Sequence, residues 1–168
     1  MSELRALEAA VLQEEQFHVV VIAGYLLFCL MAVCRFSDAM HAQDLSISQS
    51  GKTVLVEAGT NVHKTAHTKE RKTMLLPLVA LGHVLDSERS WAVRWMEVRQ
   101  QQKLDKEEVI LPAFSEQRGC WLDRPMSTAE GMLWLRDIVQ LRCPSGETLT
   151  THSLKTCLLY TSPSPRDA

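Results

Sequence analysis

A chain of 168 residues with 46% hydrophobic and 23% charged residues has the composition of about one globular domain, which excludes an intrinsically disordered class. Its formal net charge of −2 also excludes a generally basic nucleic-acid binder, so any such contact must come from a local patch. Cys29, Cys34, Cys120 and Cys143 are scattered, without a CxxC pair or a secretory signal ahead of them, which points to reduced thiols in a nuclear or cytoplasmic, soluble setting.

Leu4, Leu7, Val11 and Leu12 recur at helical spacing with acidic residues opposite, predicting a helix over Ser2–Gln16 that Ser2 could cap. Phe17–Val33 continues as a helix apolar on every side, a pattern that implies burial among other elements. Its centre, Val19–Cys34, is 16 apolar residues between His18 and Arg35. A membrane span wants about 20. Glu3, Glu8, Glu14 and Glu15 upstream have the wrong sign for a signal peptide. The expectation is therefore a buried core helix with no membrane partner, and a small membrane-anchored helical protein is an alternative.

Ser37–Gln43 predicts a short helix ending near Asp44. The period then changes: Leu45-Ser-Ile47 alternates, Gln49-Ser-Gly-Lys52 is turn chemistry, and Thr53–Glu57 is a β-branched strand. Ala58–Lys72 is polar and basic, and Thr73–Leu78 predicts a returning strand ended by Pro77, so the element is a small sheet with a long charged hairpin connection. Helical spacing resumes over Asp86–Lys103, where Trp91, Trp95 and Val98 form an apolar stripe. Lys103–Glu108 is a charged linker and Val109–Phe114 a short extended segment. Ser127-Thr-Ala-Glu130 fits a capping box, opening a helix whose buried face is Met132, Leu133, Leu135, Ile138 and Val139, and which Cys143-Pro-Ser-Gly146 breaks. Thr150 or Thr151 looks like the cap of one further helix. The sum is mainly α with a small antiparallel β-sheet, an α+β fold.

Cys157–Asp167 matches one reading frame of a transposase-type adapter used in preparing sequencing libraries. Residues 157–168 are therefore expected to be an adapter-derived artefact and not a domain, leaving residues 1–156 as natural sequence. A Ser/Pro-rich tail is the other reading of the same stretch.

Three boxes of residues carry a resemblance. Leu30-Met-Ala-Val-Cys-Arg35-Phe-Ser-Asp38 places an Arg at the end of an apolar helix with an acidic residue three positions on; Leu45 lies further along. Thr68-Lys-Glu-Arg-Lys-Thr-Met-Leu-Leu-Pro77-Leu is a basic stretch returning into a strand. Thr151-His152-Ser-Leu-Lys155 has the form of an HxxR box with Lys in the last place. In this order the boxes resemble the catalytic domain of tyrosine recombinases, closest to integrase-like frames of mobile elements.

The resemblance implies a DNA breaking-rejoining fold, here incomplete at its C-terminus, with DNA as partner and self-association on DNA in the full-length parent. It implies DNA integration and recombination through a 3′-phosphotyrosyl intermediate, with no metal and no cofactor. The catalytic set would be Arg35, a lysine, His152 and Lys155. Arg35's planar fork suits the non-bridging phosphate oxygens. Lys64, from a Lys-Thr signature, or Lys69, from its spacing eight residues before Pro77, would protonate the leaving 5′-oxygen, with a slight preference for Lys64. His152 would support the phosphate or shuttle a proton. Lys64, Lys69, Arg71 and Lys72 would contact DNA. Lys155 keeps the charge of the expected second Arg but loses its bidentate geometry. The nucleophilic tyrosine would lie past Thr156, since Tyr25 is in the apolar helix and Tyr160 in the adapter-like tail. As written, the chain is expected not to cleave DNA, and a non-catalytic DNA-binding relic is the alternative.

Each signal has a plainer counterpart. An Arg closing an apolar helix commonly snorkels or contacts the helix dipole, and basic runs are commonly solvated loops. His63 and His67 stand four apart but lack further ligands at a usual spacing, so no metal site is expected. Trp91, Trp95, Trp121 and Trp134 are most simply core anchors.

Overall fold

In the computed structural model, which describes residues 2–60, 76–84, 88–106 and 109–143, the two N-terminal apolar patterns form α1 (Ser2–Gln13) and α2 (Phe17–Met31). α1 stops three residues short of Gln16, and Ser2 is its first residue and not a cap. Gln16 is extended (φ −72°, ψ 108°), which turns the chain into α2. Every residue from Val20 to Leu30 is buried. The all-round apolar character is explained by what surrounds α2: α1, the two later long helices and the third sheet strand all pack on it. At 15 residues α2 is about 22 Å long, against about 30 Å of bilayer hydrocarbon. No helix among the described residues is long and apolar enough to cross a membrane.

The end of α2 is a Schellman motif. The Cys34 N–H donates to the Cys29 carbonyl (3.0 Å) and the Val33 N–H to the Leu30 carbonyl (3.1 Å), with Val33 at φ 52°. The expected helix over Ser37–Gln43 is reduced to one turn, α3 (Phe36–Ala39). Gln43 and Asp44 belong instead to β1 (Gln43–Ser50), because strand pairing of Gln43 with Gly59 competes successfully for that backbone.

β1, β2 (Thr53–Thr60) and β3 (Leu76–Leu81) make an antiparallel sheet in the order β1-β2-β3. A two-residue loop, Gly51–Lys52, with Gly51 at φ 60°, joins β1 to β2 in the pattern of a type II′ hairpin. Val54, Val56, Ala58 and Thr60 alternate inward, so β2 runs three residues past the expected Glu57. Pro77 does not end the returning strand but lies within it, opposite Gly59. That is possible because β3 is at the sheet edge, where a missing N–H can face away from β2.

α4 (Trp91–Gln101) starts later than Asp86, where the Ser90 hydroxyl accepts from the Val93 N–H at 3.3 Å. Trp91 and Trp95 are fully buried. Their indole N–H groups donate to Leu81 O (3.1 Å) and Val21 O (3.0 Å), fastening α4 to β3 and to α2. The charged linker includes a 3-10 helix (Leu104–Lys106) with Leu104 buried. Next comes a second antiparallel sheet, β4 (Pro112–Ser115) with β5 (Cys120–Pro125), so the expectation of one small sheet is corrected to two. α5 (Thr128–Arg142) opens with both halves of the capping box between Ser127 and Glu130. Leu135, Ile138 and Val139 are buried as expected, whereas Leu133 is 58% exposed. Gly131 takes its place on the inner face because the Phe36 ring fills the space a Cβ would need, 2.5 Å away. The described fold is thus mixed α+β, with five α-helices and two antiparallel sheets.

Candidate functional site

Arg35 lies between α2 and α3. Its side chain is exposed, and its carbonyl accepts from the N–H groups of Asp38 (3.1 Å) and Ala39 (3.0 Å) to start the α3 turn. The position follows from α2. The Schellman turn reverses the chain, and Phe36 then drops into the core beside Tyr25 (ring centroids 5.0 Å) and against Gly131. The Tyr25 hydroxyl donates to the Phe36 carbonyl at 2.6 Å, tying the backbone next to Arg35 to the middle of α2. Burial pushes the Tyr25 phenol far above its usual pKa, which favours the protonated hydroxyl that makes this bond.

The end of the three-stranded sheet meets this turn. Thr60, the last residue of β2 and buried, donates through its hydroxyl to the Asp38 carbonyl at 3.3 Å. Leu76, the first residue of β3, pairs with Thr60. The 15-residue connection over 61–75 therefore leaves and rejoins the sheet beside the Arg35–Asp38 turn. It carries Lys64, Lys69, Arg71 and Lys72, which lie outside the described residues, as do His63 and His67. His152, Lys155 and Tyr160 also lie outside them. Among the expected site residues the structure thus describes Arg35 and Asp38, and it brings them to the root of the basic connection.

α5 starts near Phe36 and ends at Arg142, where a 2.8 Å ion pair to Glu14 holds it at the α1–α2 junction.

The described residues at this end are not strongly basic: Asp38, Asp44 and His41 accompany Arg35. Any strong attraction for phosphate would have to come from 61–75, where Lys64, Lys69, Arg71 and Lys72 outnumber Glu70. No group of three or more His, Cys, Asp or Glu among the described residues could hold a metal ion.

Two further sites were not foreseen from the sequence. Arg99, 3% exposed, donates to the Leu104 (3.0 Å) and Ile110 carbonyls and lies 5.3 Å from the Trp95 ring. Burial pushes its pKa down to about 10, with Asp105 opposing the change. It borders a cavity of about 340 Å³ with Asp44 and Asp105. His18 stacks on Phe114 (4.2 Å, 5° between ring planes) at a cleft of about 470 Å³ that includes Trp134, Glu116 and Glu14. Burial holds the His18 pKa below its usual value, and Glu116 and Glu14 oppose that. A charged residue in an otherwise apolar helical stripe, as in Val98-Arg99, is the one sequence signal that could have pointed to the first.

No protein-family model, curated protein or solved structure matches this chain.

Proposed function

We propose that the chain is a partial catalytic domain of a tyrosine recombinase or integrase-like protein, with DNA as its partner. The observation that carries this reading is the Thr60–Asp38 hydrogen bond, which joins the arginine-bearing turn to the strand end where the basic connection begins. In this reading Arg35 binds the non-bridging oxygens of a DNA phosphate. Lys64, or Lys69 in its place, protonates the leaving 5′-oxygen. Arg71 and Lys72 hold the flanking backbone, and His152 and Lys155 complete the set. Residues 1–156 make up the domain, and 157–168 stand outside it.

The full-length parent would form a 3′-phosphotyrosyl bond with a tyrosine past Thr156, then reverse it with a new 5′-hydroxyl. The protein of this reading acts in DNA integration and recombination, needs no metal or nucleotide, and works in the nucleus or cytoplasm.

Anisotropy of a labelled DNA duplex, titrated with the protein over a range of salt, tests the partner. Weak, salt-sensitive binding is expected, and Arg35→Ala should weaken it about tenfold, the size of one missing charge-assisted hydrogen bond. Absence of binding at low salt, or indifference to Arg35→Ala, would refute the reading.

Lys155 in place of a second arginine favours one other reading, a DNA-binding relic without catalysis. The natural reading frame carried past Thr156 separates the two. A covalent adduct trapped on nicked DNA supports the enzyme, and DNA binding without an adduct supports the relic.

A further inference from the structure

The C-terminal turn of α2 joins two cysteines through its backbone. In a Schellman motif the residue three from the helix end and the second residue beyond the cap are joined by the 6→1 hydrogen bond, and a side-chain contact frequently accompanies it. Here those two places are Cys29 and Cys34. Their backbones share the 3.0 Å N–H···O=C bond. The Cys34 Sγ lies 3.7 Å from the Cys29 carbonyl oxygen. With standard bond lengths, that backbone bond keeps the two Cα atoms within about 7 Å, the limit a disulfide tolerates. Both are present as thiols, 5% and 7% exposed. Helix ends fray first, and this one holds the exposed β-branched Val33 at φ 52°, a conformation unfavourable for valine. Opening of the turn would give a small oxidant access to either sulfur.

We propose that Cys29 and Cys34 form a redox-active pair that closes into an intrachain disulfide across the end of α2, directly before Arg35. The oxidant is a small disulfide of the glutathione type. One cysteine thiolate attacks it, forming a mixed disulfide and expelling one small thiolate. The second cysteine attacks the protein sulfur of that mixed disulfide and expels the other. Two electrons pass to the small disulfide, which leaves as two thiols once the two protons are taken up. The bridge adds a covalent link across the Schellman turn and so restrains the backbone that presents Arg35. This inference stands whether or not the DNA reading holds.

The test uses the whole chain with Cys120, Cys143 and Cys157 changed to Ser, equilibrated in mixtures of oxidised and reduced glutathione, quenched with acid and alkylated. Trypsin releases Ala6–Arg35, which contains both cysteines and no internal Lys or Arg. The expected product has two hydrogens fewer and resists alkylation. Its midpoint should lie at a ratio at least about tenfold more reducing than that of the urea-unfolded chain, because the folded turn holds the two residues near each other. Cys29→Ser and Cys34→Ser each abolish the bridge and leave one alkylatable or glutathionylated thiol. The proposal is overturned if the folded chain keeps two alkylatable thiols, acquires two glutathiones without bridging, or bridges no more readily than the unfolded chain.

Discussion

Among the described residues, Val33 has the conformation least suited to its chemistry. A left-handed backbone costs an ordinary L-residue about 1–2 kcal/mol, and Val33 has φ 52° with its side chain 54% exposed, so little packing offsets that cost. Val33→Gly is expected to raise stability by about 1 kcal/mol, net of the entropy glycine adds to the unfolded chain, read as a higher denaturant midpoint with unchanged slope. Glu130 offers a pH test at the same scale. Its carboxylate accepts from Arg124 at 2.6 and 2.9 Å and from the Ser127 N–H at 2.8 Å, and the Arg124 contact first, then the Ser127 bonds, lower its pKa from 4.5 to about 2. A depressed folded-state pKa means the carboxylate contributes stability above pH 4.5 and loses it as pH falls towards 2. The contribution is small because the pair is solvent-exposed. The stability gap between wild type and Glu130→Gln should therefore narrow between pH 4.5 and 2; a gap constant across that range would contradict the assignment.

At the scale of elements, the contact between α2 and α4 is the one most sensitive to volume. Gly24 faces the Trp95 indole, and any side chain there would overlap it. Gly24→Ala is expected to destabilise the fold by about 2 kcal/mol, the overpacking outweighing the ~1 kcal/mol that alanine gains in helix propensity. Adding Trp95→Phe should recover only part of that stability, since it makes room but removes the Trp95–Val21 hydrogen bond. Chemical denaturation of both variants checks this. Elements set by local chemistry were legible in the sequence: the Ser127–Glu130 capping box, the Trp91–Trp95–Val98 stripe and the Gly51–Lys52 turn all appear where spacing put them. β5 was not, because Cys-Trp-Leu-Asp-Arg-Pro has no two-residue alternation and is a strand through its pairing with β4. The short extent of α3 was hidden for the same reason, since β2 recruits Gln43 across the sheet.

For the molecule as a whole, net charge decides what kind of DNA contact is possible. Overall the chain is at −2, so attraction to a polyanion must be local. Replacing Lys64, Lys69, Arg71 and Lys72 with Ala removes four positive charges and takes −2 to −6. If these residues meet phosphates, the slope of log affinity against log salt should shrink by about 0.9 for each phosphate no longer neutralised. The same four changes should leave the thermal midpoint unchanged if the connection serves only DNA. A slope unchanged by all four substitutions would remove 61–75 from the interface. Sequence alone determined the four longer helices to within a few residues at their ends, and the turn at Gly51–Lys52 with a strand after it, because periodicity, caps and turn residues act over a few neighbouring positions. Only the tertiary structure decided that Thr60 reaches Asp38, that Phe36 fills the space beside Gly131, and that Arg99 is buried under two carbonyls. These contacts join residues distant in the chain or depend on which face is covered. They follow from how the surrounding helices and sheets close on α2, which no local pattern encodes.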